Sequence, residues 1–341
     1  MRIVLADAGL AFDGLSPRER PLGGAESAFV ALAEALAAAG GEVEAFAKDA
    51  RAVTHNGVVW KPAGAAWPKK ADLFIANRSP RLISAPIQAR RRVFWLHNPA
   101  QFLSKWRYLW PIVTRAPTLV FAGPSHVATA PGWLPGKRVI IPLGVEAPFL
   151  RTPRMPGAPK PRAIFTSNPM RGLSPLLLLW RDTIRPAVPG AEFHIFAGPT
   201  VYAETGRRAA AMRAAIADAE ARAGHGVVVR EPTPKEALAR ELAQARALLY
   251  LGDPGETFCL AVAEAQAMGV PAVVRPVGAV GERVVHGKTG FVEKDHAAFC
   301  AAAIRVLRDD ALWTPMSATA MAGRDAMSWS HAARAFAALA Q

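Results

Sequence analysis

Two series of alternating strand-like and helix-like segments, separated by a stretch that suits neither, constrain this chain more than any other feature. That stretch, residues 146–162 (EAPFLRTPRMPGAPKPR), carries five prolines. A proline ring fixes φ and removes an amide donor, so proline at this density predicts a linker. Before it, apolar runs with β-branched and aromatic residues recur: RIVLAD, EVEAFA, ADLFIAN, RRVFWLHN, TLVFAGPS and KRVIIPLG. Segments of helical period lie between several of them. In GGAESAFVALAEALAAAGG, Phe29, Leu32 and Leu36 share a face and Gly40-Gly41 supply the stop. After the prolines the alternation restarts with PRAIFTSN, LSPLLLLWRDTIRP, EFHIFAG, an Ala-rich helical stretch over 203–223, GVVVRE, KEALARELAQAR, ALLYLG and PAVVRP.

Strand and helix in alternation mean parallel sheets covered on both faces. The expectation is α/β: two Rossmann-like doubly wound domains, 1–147 and 162–322, joined by a linker at 148–161. A chain of 341 residues suits two domains of roughly 150 residues each. Residues 323–341 end in the amphipathic SHAARAFAALAQ, a last helix able to cross back to the first domain. Ligands of such sheets bind beyond the carboxyl ends of the strands, so two facing domains would hold theirs in a cleft between them.

With 51% hydrophobic and 20% charged residues, the composition is that of a packed globular protein. The opening MRIVLADAG is too short for a signal-peptide core and reads as a buried strand. No run approaches the ~18 apolar residues a membrane span needs. Cys259 and Cys300 give neither a metal spacing nor a disulfide framework, which suits a reducing cytoplasm. The net charge of +14 is uneven: residues 1–154 hold 20 Lys+Arg against 10 Asp+Glu. Such an excess attracts anions, whether nucleotide, nucleic acid or acidic lipid.

GETFCLAVAEAQAMGVPAVV, residues 255–274, places two carboxylates on a segment otherwise fit for burial. ALLYLGDPGETF reads as strand, turn, then a helix beginning near Thr257. The first amides of that helix, around Phe258, Cys259 and Leu260, lack intrahelical partners and form a seat for phosphate oxygens. Glu256 sits just before the seat. Glu264 would lie roughly 12 Å along the axis, about the reach of a nucleoside diphosphate sugar. A helix-end charge and a solvated acid are the plainer reading, but a carboxylate buried among Ala, Val and Met needs hydrogen-bond donors.

This stretch, followed by GAVGERVVHGKTGFV, resembles the signature of the retaining glycosyltransferases of family 4, which have the GT-B fold. PLGGAESAFVALAEALAAAGGEVEAFA resembles that family's N-terminal loop and helix. FWLHNP resembles its strand ending in His, IPLGVE the close of its first domain, and FTSNPMRGL the start of its second. The resemblance implies a transfer of sugar from a nucleotide-sugar donor to an acceptor hydroxyl, with no metal and no cofactor beyond the donor. It places Glu256 on the donor sugar, Glu264 on the ribose, and the Cys259 and Leu260 amides and Arg171 on the diphosphate. A guanidinium and a helix N-terminus together stabilise charge growing on a leaving diphosphate. His97 would position the sugar or the leaving oxygen, Gly23-Gly24 would offer bare backbone to a ligand, and Glu231 would lie near the base. Two departures stand out. Ser167 and Asn168 occupy the place of a family Arg, leaving Arg171 alone, and Cys259 occupies the place of a common glycine.

SKWRYLWPIVTRAP, residues 104–117, interleaves Lys105, Arg107 and Arg115 with Trp106, Tyr108, Leu109 and Trp110. That pattern suits an anionic membrane surface and an enzyme reaching a lipid-linked or envelope acceptor. Equally, Trp106 and Trp110, four apart, have the spacing of a core stripe with arginines as its rim. Three other functions stay open: a nucleotide-sugar epimerase of the same architecture, a non-catalytic sugar-nucleotide binder, and a basic nucleic-acid-binding protein. The last is disfavoured, because no helix-turn-helix, zinc or RNP-type pattern is present.

Overall fold

In the computed structural model, which describes residues 1–154, 156–198 and 206–341, the apolar runs become two mainly parallel sheets. The first contains β1 (Arg2–Ala11), β2 (Glu42–Lys48), β3 (Val53–His55), β4 (Val58–Pro62), β5 (Lys70–Asn77), β6 (Gln88–Trp95), β7 (Thr118–Phe121) and β8 (Arg138–Ile140), in the order β3-β4-β2-β1-β5-β6-β7-β8. Its central strands are the most buried; Phe74 and Phe94 are fully enclosed, as burial against helices requires. Only β3 runs antiparallel to its neighbour. The sequence reading missed this hairpin, although Asn56-Gly57, both at positive φ, is a strong two-residue turn signal.

The second sheet is β9 (Arg162–Phe165), β10 (Glu192–Phe196), β11 (Val227–Arg230), β12 (Ala247–Tyr250), β13 (Ala272–Val274) and β14 (Gly290–Val292), in the order β11-β10-β9-β12-β13-β14, all parallel. The chain divides into two compact units, 1–144 with 328–341, and 145–327. The last helix, Trp329–Ala338, lies in the first unit, where Trp329 and Phe336 pack edge-on against Trp95 at 6.3 and 5.3 Å. Gly144 permits this approach, since a β-carbon there would stand 2.6 Å from the Trp329 ring. Of the helix expected over 203–223, Gly206–Glu220 is observed, and 203–205 lie outside the described residues.

Two expectations are corrected. The proline-rich segment is not a bare linker. It holds a short helix, Ala147–Arg151, and from Arg154 two guanidinium nitrogens reach the Met268 and Ala245 carbonyls at 3.0 and 2.6 Å. The Arg154 guanidinium also lies 4.8 Å over Trp313. It thus satisfies carbonyls left open at helix ends, which proline, lacking a donor, cannot do. Nor do Trp106 and Trp110 form a core stripe: they are 68% and 53% exposed on the Trp106–Arg115 helix, which turns Pro111 and Ile112 inward instead.

The GKTG run also has a structural reason. Gly290 has φ of 151°, and a β-carbon on it would fall 2.0 Å from the Ala272 carbonyl oxygen of the adjacent strand. Gly290→Ala must therefore break the β13–β14 pairing. Its expected cost is about 3 kcal/mol or more of unfolding free energy, read from urea melts.

Candidate functional site

In the second unit the strand order reverses at β9 and β12. These neighbours have their onward connections on opposite sides, the arrangement that opens a crevice at the carboxyl ends. The turn after β9 is built by Asn168, whose side-chain oxygen accepts from the Met170 amide and whose carbonyl accepts from the Arg171 amide, both at 2.9 Å. Gly172, at φ 81°, then starts the Leu173–Leu179 helix. This brings Arg171 across to Glu256, beyond β12: Arg171 Nη1 donates to both carboxylate oxygens at 2.8 Å. The Tyr250 hydroxyl donates to Glu256 Oε2 at 2.6 Å, and Ser167 Oγ lies 3.5 Å from that hydroxyl. Burial, with Cys259 and Glu256 close by, pushes the Tyr250 phenol well above its ordinary range, so it remains a donor. Glu256, 9% exposed, is thus a buried carboxylate with its donors in place. Tyr250 was not anticipated; ALLYLG showed a strand, not which of its residues would end beneath Glu256.

The helix after Glu256 begins later than expected, at Leu260 rather than near Thr257, and runs to Ala267. Cys259 interrupts it, standing at φ 69° in the left-handed region. A residue with a β-carbon costs roughly 1–2 kcal/mol there, which is the physical reason a glycine suits this place. Burial raises the Cys259 thiol well above its usual range. Leu260 and Ala261 stand in the open first turn. Phe258 is buried, with the Arg283 guanidinium 4.5 Å over its ring.

Glu264 is not a solvated acid. It is 3% exposed and ion-pairs through Oε1 with Lys235 Nζ, which lies 5.4 Å over the Phe149 ring. Lys235 opens the Lys235–Ala243 helix and was not singled out from the sequence, where KEALARELAQAR showed only a helix start. Arg171, Ser167, Glu256 and Cys259 converge at the strand switch, and Glu264 lies on the helix that leads from it. Glu231 stays apart, exposed after the edge strand β11, with none of these contacts.

In the first unit the sequence reading singled out His97 and Gly23-Gly24. His97 Nε2 lies 2.8 Å from Asn77 Oδ1, and Asn77 Nδ2 donates to Asp7 Oδ2 at 2.6 Å. Since the Asn77 oxygen can only accept, His97 carries its proton on Nε2. Burial, with the Arg78 charge beyond it, pushes the imidazole down to about 3. Asp7 receives Arg78 Nε and Nη2 at 2.8 and 2.9 Å, and Arg78 Nη1 reaches Glu26 Oε1 at 2.7 Å. Gly23 gives Glu26 its room: a β-carbon at 23 would stand 2.5 Å from Glu26 Oε2. The bare backbone expected at Gly23-Gly24, where the Gly24–Ala38 helix starts, therefore faces the chain's own carboxylate. Asp7, Glu26, Asn77 and Arg78 were not singled out, because nothing local in the sequence records that these positions meet.

Residues 167–309 match the family model described as Glycosyl transferases group 1. That segment contains Arg171, Tyr250, Glu256, Cys259, Lys235 and Glu264. A D-inositol 3-phosphate glycosyltransferase of Nocardioides sp. is 36% identical over 115 residues, which are 33% of this chain and 25% of that one. The match thus spans about a quarter of that relative's length. Among solved structures, a sucrose-phosphate synthase of Thermosynechococcus elongatus superposes with a TM-score of 0.73 at 18% identity, over 99% of this chain and 98% of that one. A trehalose-6-phosphate protein of E. coli, bound with UDP-2-fluoro glucose, gives 0.72 at 11% identity, over 100% and 99%. The fold is GT-B, with two Rossmann-like α/β units.

His97 should stay neutral throughout the working range. Its native imidazole binds no proton between about pH 6.5 and pH 3 while the unfolded one does, so it contributes stability that falls as pH drops through that window. Nitrogen-15 NMR is expected to show a non-titrating ring with Nε2 protonated from pH 5 to 8; a midpoint near 6.5 would overturn this environment.

Proposed function

We propose that this protein is a glycosyltransferase that moves a sugar from a nucleoside-diphosphate donor to an acceptor hydroxyl, with retention of anomeric configuration as in family 4. The observation that carries the reading is the pair of buried acids in the segment matched to group 1. Glu256 is held by Arg171 and Tyr250 at the strand switch, and Glu264 by Lys235 on the helix that follows. In this reading the Glu256 carboxylate accepts from donor-sugar hydroxyls and Glu264 from the ribose, since ionised carboxylates are pure acceptors for paired O–H donors. The diphosphate rests on the first amides of the Leu260–Ala267 helix. Breaking the bond between sugar and diphosphate leaves the electron pair on a phosphate oxygen. Arg171 and those amides stabilise that charge without a metal, and the departing oxygen takes the proton of the incoming hydroxyl.

The first unit supports a membrane-bound acceptor. Trp106, Trp110 and Val113 follow one another at about one-turn intervals on the exposed face of one helix, beside exposed Lys105, Arg107 and Arg115. Apolar bodies of this kind sink into the headgroup boundary while the cations meet anionic lipid. No helix among the described residues is long and apolar enough to cross a membrane, so this contact would be peripheral.

Calorimetry against UDP, GDP, ADP and dTDP is expected to show micromolar binding of one of them. Glu264→Ala should weaken it at least tenfold, about 1.4 kcal/mol or more, whereas failure of all four to bind would end the proposal. Flotation with vesicles containing acidic phospholipid should carry the protein at low salt, and Trp106→Ala with Trp110→Ala should abolish this. Equal flotation of the double variant would remove the membrane role and leave the catalytic reading intact.

A further inference from the structure

Resting on the diphosphate seat proposed above, we infer that Arg283 is the seat's second cation, standing in for the basic residue absent at Ser167 and Asn168. Arg283 ends the short turn of 3₁₀ helix Val280–Arg283, and this turn is fixed to the Glu256 loop. The Ala279 amide donates to the Glu256 carbonyl at 2.9 Å. Gly278, at φ 61°, lies so close that a β-carbon on it would be 2.8 Å from the same oxygen. The turn therefore moves with the loop that carries Glu256 and leads into the Leu260–Ala267 helix.

From this mount the Arg283 side chain, 19% exposed, lays its guanidinium 4.5 Å over the Phe258 ring, one residue before Cys259. Its counter-charge is thin. The Glu282 carboxylate stands 3.5 Å from Nη2, and Nε is buried with no hydrogen-bond partner among the described residues. A guanidinium withdrawn from water into such a place is costly unless an anion completes it. Burial accordingly pulls its affinity for a proton down. The ring beneath holds the planar group in one orientation, so its fork is pre-set for oxygen acceptors.

Arg171 already spends one nitrogen on both oxygens of Glu256. Arg283 has no carboxylate in bidentate contact among the described residues, and as a second cation at the seat it should contribute more to a diphosphate than to a monophosphate. A packing role alone would not distinguish the two ligands. The test is calorimetry of wild type, Arg283→Gln and Arg283→Lys against UDP, GDP, ADP and dTDP and the matching monophosphates.

For the diphosphate that wild type prefers, Arg283→Gln is expected to lose at least tenfold in affinity while the monophosphate loses less than threefold. Arg283→Lys should recover part of the difference, and it serves as the reading variant if the glutamine protein does not fold. Equal losses for both ligands, or a diphosphate affinity within twofold of wild type, would overturn the role of Arg283 and leave the seat standing. If wild type binds none of these nucleotides, the seat itself fails and Arg283 falls with it.

Discussion

The arrangement of the second unit depends on one buried carboxylate. Glu256 sits where two neighbouring strands send their chains in opposite directions, and it is held from both: by Arg171 after β9 and by Tyr250 at the end of β12. A carboxylate taken from water without donors would be costly or would protonate. With three hydrogen bonds it becomes a tie that fixes the turn after one strand to the loop after the other. The same loop then delivers Cys259 and the helix start, and its carbonyl anchors the turn ending in Arg283.

The first unit answers the same topological problem with a different set of charges. Its order reverses between β1 and β5, where Asp7 of β1 stands opposite Asn77 at the end of β5, with Arg78 bridging to Glu26. Paired charges of this kind are stabilising only when every partner is met, since removing one leaves the others buried and alone. His97 closes the chain of contacts as a neutral ring with its proton position set by Asn77.

Much of this was legible in the residues. The alternation of apolar runs gave two parallel-sheet units, and an acid set among Ala, Val and Met marked Glu264 as buried. What sequence could not supply was partnership across strands. Lys235 and Glu264 are 29 positions apart, Arg171 and Glu256 85 apart, and nothing local records that folding joins them. The helix start was misjudged because Cys259 takes a backbone conformation that its residue type disfavours. The two readings of Trp106 and Trp110 stayed open in the sequence for a related reason. Four-residue spacing identifies a helix face, but whether that face turns inward is decided by what covers it; here Pro111 and Ile112 take the inward side.

The packing of Trp329 and Phe336 on Trp95 has a consequence for the order of assembly. Trp95 in turn lies tilted against His97, at 4.4 Å between rings. Residues 1–144 therefore leave the ribosome with one wall of their own core still unmade. That wall arrives only after the whole second unit has been synthesised, so the first unit cannot complete its core before then.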